Sequence, residues 1–158
     1  AFGAAVPLVK DLTMLNQARV ALGDDGSAYV AYAYVPLVRK YSGSGRLLEE
    51  TKLPYGFIDR YRRENERTYG TSSYNVISPD IKSDGGRIFV MCPDRSIVRF
   101  LEMGPDLGLR AIHRVDLAHL GRDVRSRRFA VTSTDGLTRF YLLDGGGLMD
   151  RVYVAGRR

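Results

Sequence analysis

Histidine, cysteine and long apolar runs are what this chain has least of, and each shortage removes a class of function. Only two histidines occur, His113 and His119. Their spacing of six fits neither a helical pair nor a common zinc motif, so no metal set is expected. The single cysteine, Cys92, excludes an intrachain disulfide, and within the apolar run IFVMC it reads as a small buried hydrophobe. The longest apolar stretch, Ala28 to Val38, is broken by tyrosines and Pro36. It falls well short of the ~20 residues that span a bilayer, and no membrane span is expected. A nucleophile elbow is absent, and the SGSG of Ser42 to Gly45 is explained by a hairpin turn. Gly145-Gly146-Gly147 follows a strand, but Leu148 opens another strand, so no helix N-terminus is offered to a phosphate. Asp24, Asp25, Asp84, Asp94, Asp135 and Asp144 fall at turns, without the alternating oxygen ligands of a calcium loop. Neither a metal nor a cofactor is expected.

What is present is an ordinary globular composition, with 44% hydrophobic and 27% charged residues in 158. That is enough for one core. The net charge of +6 raises nucleic-acid binding as a possibility. Its densest stretch, Arg110 to Arg128, is interspersed with Asp116 and Asp123 and reads as a solvated basic face, so nucleic acid is not the expected partner. The first residue is Ala1, which points to a processed product or a piece of a longer polypeptide.

The dominant pattern is a repeat. Ser27 to Leu53, Arg87 to Leu117 and Arg128 to Val154 align when Tyr29, Phe89 and Phe129 are set in register. Ten residues on, each copy carries an arginine, Arg39, Arg99 or Arg139, then an aromatic, a glycine-rich turn and another apolar strand. In the first copy, Ala18 to Leu22 makes an inner strand and Gly23-Asp24-Asp25-Gly26 a tight turn. Ser27 to Val35 is apolar on both faces and so needs cover on both. Leu37 to Tyr41 is half exposed, and Arg46 to Leu53 is the polar outer strand. This gradient describes one blade of a β-propeller.

The second copy predicts strands at Tyr74 to Ile81, Arg87 to Cys92, Ser96 to Glu102 and Leu109 to Leu117. The third predicts strands at Phe129 to Thr132, Thr138 to Leu143 and Leu148 to Val154, with an inner strand drawn from Leu120 to Arg125. The fold class is therefore all-β, with propeller-type blades of four antiparallel strands at residues 18–53, 74–117 and 120–154. Val6 to Leu12 would be an additional N-terminal outer strand. The insertion at 54–73 fits either a short surface helix or an ordered loop, with Ile58 and Tyr61 at helical spacing. Loops between blades commonly carry binding residues, which makes Tyr61, Arg62 and Arg63 candidate partner contacts.

The stretch DDGSAYVAYAYVPLVRKYSGSGRLLEE resembles the repeats of the six-bladed propeller group that includes NHL and TolB-like proteins. With no tryptophan anywhere, it does not resemble the tryptophan-aspartate repeat family. The resemblance implies a propeller fold but no one activity, because this group hosts lyases, lactonases and pure binding modules. Resemblance to its bacterial members also implies a location outside the cytoplasm. Three blades are too few to close a ring, so self-association, or the remaining blades of a longer chain, is expected to complete it. Arg39, Arg99 and Arg139 either form a ring that binds anions or an acidic partner, or each stacks on an aromatic or pairs with an acid. The leading functional expectation is a non-enzymatic module that presents loops to a protein or glycan partner. The alternative is part of a propeller enzyme whose catalytic residues lie partly on absent blades.

Overall fold

The structure, a computed structural model, describes residues 16–53, 56–68, 74–118, 128–134, 136–143 and 152–157. Among the described residues it is mostly β, with three antiparallel sheets and one helix. β1 (Ala18–Leu22), β2 (Ala28–Tyr32), β3 (Leu37–Tyr41) and β4 (Leu47–Lys52) form the first sheet in chain order. Helix α1 (Gly56–Arg67) follows. The second sheet is β5 (Asp80–Asp84), β6 (Arg87–Asp94), β7 (Ile97–Met103) and β8 (Leu109–Asp116). The third comprises β9 (Arg128–Thr134), β10 (Leu137–Leu143) and β11 (Val152–Arg157).

The first hairpin of each sheet turns on a glycine that must take positive φ: Gly26 at 74°, Gly86 at 72° and Gly136 at 74°. Asp25 stiffens the first of these turns by accepting a hydrogen bond from the Ser27 amide at 2.9 Å. All five residues of β2 are buried, whereas β4 is exposed along almost its whole length. The expected contrast between a buried second strand and a polar outer strand is thus present in the first sheet, but β3, expected to be half exposed, is buried at four of its five residues, and β1 is largely exposed.

Alternation along the strands sends side chains to two faces, and the sheets stack on those faces. Tyr29, Ala31 and Val38 of the first sheet meet Ile88, Val90, Cys92 and Leu101 of the second. Phe89, Met91 and Phe100 of the second meet Phe129, Phe140 and Leu142 of the third. In that second core Phe100 and Phe140 stack with centroids 4.1 Å apart and planes 7° from parallel. A further cluster, Ala28, Val30, Tyr32, Leu37 and Tyr41, occupies the opposite face of the first sheet. β5 lies beside both β1 and β9.

Two expectations change. The inner strand of the second sheet begins at Asp80 instead of Tyr74. Pro79 has no amide hydrogen to give to a ladder, and the Ile77 and Ser78 amides both donate to Ala33 O, at 2.7 and 3.2 Å. The stretch before Pro79 is therefore tied to the β2–β3 loop. The third sheet is also out of phase with the sequence alignment. Gly136, between β9 and β10, is the counterpart of Gly26 and Gly86, and β5 lies beside both β1 and β9, so β9 corresponds to β1 and β5, and β10 to β2 and β6. Counting three residues on from each glycine, the counterparts are Tyr29, Phe89 and Arg139, not Tyr29, Phe89 and Phe129. The segments predicted as strands at 6–12 and 120–125 lie outside the described residues. The segment 54–73 contains a helix, which decides between the two forms that its sequence allowed.

Candidate functional site

Among the described residues the helix is the one element that departs from the repeat, and its sequence explains how it is held. Phe57, Ile58, Tyr61 and Asn65 recur at helical spacing and share a face. Ile58 is fully buried in the core between the first two sheets. Phe57 lies under the Arg99 guanidinium, with 4.4 Å between the guanidinium carbon and the ring centroid. Asp59 in the first turn and Arg67 in the last complement the helix dipole.

Asn65 is the polar member of the buried stripe and is 98% buried, with 2% of its surface exposed. Its amide nitrogen donates to Tyr34 O at 3.0 Å and to Asn75 O at 2.9 Å, while its oxygen accepts from the Asn75 amide at 2.7 Å. One side chain therefore ties α1 to the β2–β3 loop and to the segment leading into β5. Asn75 reciprocates by donating to Glu64 Oε2 at 2.9 Å.

At the other end of the stripe, Asp94 gathers three cationic or hydroxyl groups. Tyr61 Oη donates to its Oδ1 at 2.8 Å, Arg60 Nη2 donates to the same oxygen at 3.2 Å, and Arg99 Nη1 forms an ion pair with Oδ2 at 3.5 Å. Burial, reinforced by the neighbouring carboxylate, pushes the Tyr61 phenol above its ordinary range. The hydrogen bond with Tyr61 is the main influence that raises the Arg60 guanidinium.

The sequence candidates separate once placed. Arg39 is buried, donates to Glu50 Oε2 at 2.6 Å and to Tyr32 Oη at 3.2 Å, and faces away from the second sheet. Burial opposes its charge, but Glu50, Tyr41 and Tyr32 outweigh burial and hold it protonated. Arg99 pairs across the ladder with Cys92 and so faces the first sheet. Arg139 pairs with Thr132, one position out of step with Phe140, and so faces away from the second sheet. The three arginines occupy three different faces and are not brought together. Arg62 is engaged within the helix by Glu66 at 2.6 Å and Asp59 at 3.6 Å, whereas Arg63 is exposed.

A second polar group lies between the second and third sheets. Arg87 donates to Thr138 Oγ1 at 3.3 Å and to Ser133 Oγ, and approaches Glu102 at 3.5 Å and Asp84 at 3.6 Å. Glu102 in turn meets His113 Nε2 at 2.6 Å. Ser133 is bonded to the arginine and not to the histidine, so this group joins two sheets and makes no nucleophile–base pair. Cys92 is fully buried, and burial pushes its thiol far above the ordinary range. Among the described residues, no three histidine, cysteine or acidic side chains gather as a metal set. Nor is any helix among them long and apolar enough to cross a membrane. His119 lies outside the described residues.

Sequence reasoning named Tyr61 as a partner contact, whereas the structure packs it against the core and bonds it to Asp94; it read Asp94 only as a turn residue and did not single out Asn65 or Arg87. The available clue to Asn65 was its place seven residues after Ile58, on the stripe that otherwise carries apolar side chains. No family model matches the chain, and no curated protein matches it.

Proposed function

We propose that this chain is a non-enzymatic binding module of the β-propeller type, related in architecture to the six-bladed group, which offers α1 and its surroundings to a protein partner. The observation that carries the reading is the fastening of an exposed, charged helix to a repetitive stack. Asn65 and Asp94 hold it from two ends while its outer face stays free of the core. A module of this kind needs a rigid scaffold and an element outside the repeat that the scaffold positions. The three stacked meanders supply the first, and α1 supplies the second. The stack is open, so further sheets are part of the proposal, contributed by a second copy or by the rest of a longer polypeptide.

Site-specific photo-crosslinking tests the surface. A benzophenone side chain at Arg63 should give a discrete crosslinked species in an extract of the source cells, and the same group at Arg110 should not. Equal crosslinking from both positions, or none from Arg63, overturns the assignment of α1 as the partner surface.

A further inference from the structure

The charges on α1 are unevenly satisfied, and this indicates what chemistry its partner presents. Each of its acids is engaged: Asp59 and Glu66 by Arg62, and Glu64 by Asn75. Of its bases, Arg62 is engaged by those acids and Arg60 reaches Asp94. Arg63 and Arg67 are exposed and have no carboxylate partner among the described residues. The Nε of Arg67 donates only to the Arg63 carbonyl, at 3.3 Å. Arg60, Arg63 and Arg67 follow at three- and four-residue steps along one side of the helix, over roughly 10 Å of its length. Arg95, exposed in the β6–β7 turn, directly follows the Asp94 that Arg60 holds and adds a further cation beside that end of the row.

Helical geometry places acids along both flanks of this row, Glu64 on one side and Asp59 and Glu66 on the other. A broad polyanion such as duplex nucleic acid would bring its phosphates against those flanks. A single extended strand of protein bearing spaced carboxylates would meet guanidinium groups alone. We infer that the row formed by Arg60, Arg63, Arg67 and Arg95 docks an acidic, extended segment of a protein partner. This rests on the reading of α1 as the partner surface and adds the partner's chemistry.

The test is fluorescence anisotropy with a labelled peptide of alternating glutamate and serine, at low and at physiological salt. The wild-type chain should bind the peptide, and R63E/R67E should weaken binding by about tenfold, with R63Q/R67Q intermediate. The control R110E/R114E reverses two arginines that are also exposed but already face Asp106 and Asp116, and should cost less than about twofold. Equal losses from the two pairs would mean that the net charge of the whole chain attracts the peptide, and would overturn the inference. So would failure of the wild type to bind, or a DNA duplex that binds as tightly and is equally sensitive to R63E/R67E. Crosslinks from Arg63 without peptide binding would retain α1 as the partner surface and reject only the acidic partner.

Discussion

At the scale of single residues, the helix depends on one amide. Asn65 makes three hydrogen bonds to two separate stretches of chain, and its burial leaves no water to replace them. Asn65→Ala should therefore destabilise the protein by about 2 kcal/mol, the cost of leaving buried backbone groups without partners. Asn65→Asp should cost more, because a carboxylate would face the carbonyls of Tyr34 and Asn75. Urea denaturation of the two variants checks the order, and a neutral Asn65→Ala would show that the helix is held by Ile58 and Tyr61 alone. Cys92 gives an independent readout. Its thiol is buried with its ionisation suppressed, so alkylation by iodoacetamide should be negligible in the native protein and rapid in denaturant. The burial of Cys92 was legible in its apolar neighbours. That of Asn65 was not, because a polar side chain on an apolar stripe announces a partner without naming it.

At the scale of elements, the hairpins were legible and their phase was not. Asp-Gly turns mark where a chain reverses, and the chain does reverse at Gly26, Gly86 and Gly136, whereas the turn expected at 144–147 lies outside the described residues. The spacing of ten from aromatic to arginine aligns the three copies in sequence, yet it spans different hairpins. Tyr29 to Arg39 crosses the β2–β3 loop and Phe89 to Arg99 crosses the β6–β7 turn, whereas Phe129 to Arg139 crosses the first hairpin of its sheet. Equal spacing arose from unequal parts. The structural counterparts Gly26, Gly86 and Gly136 make a matched prediction. A Cβ at any of them meets nothing within 4 Å, so substitution by alanine should cost only the left-handed backbone penalty, about 1–2 kcal/mol at each site. Thermal unfolding of the three variants tests this, and a silent Gly136→Ala would contradict the revised phase. The turns also respond to acid. Asp25 and Asp106 are held below their ordinary range chiefly by the amides of Ser27 and Gly108. A carboxylate that is more acidic folded than unfolded contributes stability above its unfolded pKa, near 4, and loses it as pH falls through the folded value. The double variant D25N/D106N should accordingly flatten the acid limb of a stability–pH profile and leave its slope near neutrality unchanged.

At the scale of the whole molecule, the two ends of the stack are unequal. On the outward face of the third sheet, β9 exposes Arg128, Ala130, Thr132 and Thr134, small or polar side chains that sit comfortably in water, and their β10 partners Leu137, Arg139 and Tyr141 are half-buried. Along β1 to β3 the outward face of the first sheet is apolar apart from Arg39, which is buried against Glu50 and Tyr32. Val20 and Leu22, which pair with Val30 and Ala28 on that face, remain 59% and 70% exposed although they flank a buried cluster. Repeat stacks end on polar faces and continue from apolar ones. If the proposed larger assembly forms, it should grow from the first sheet. Burying two such side chains contributes about 1.5–3 kcal/mol each, enough to change an association constant by more than tenfold. Light scattering across a concentration series should therefore show self-association of the wild-type chain. V20K/L22K should shift that association to at least about tenfold higher concentration, and T132K/T134K should leave it in place. A wild-type chain that scatters as a monomer at every concentration would confine growth to sheets contributed by a longer polypeptide. Equal disruption by both pairs would mean that both ends take part, as closure of a ring requires, and would overturn the argument for one growing face.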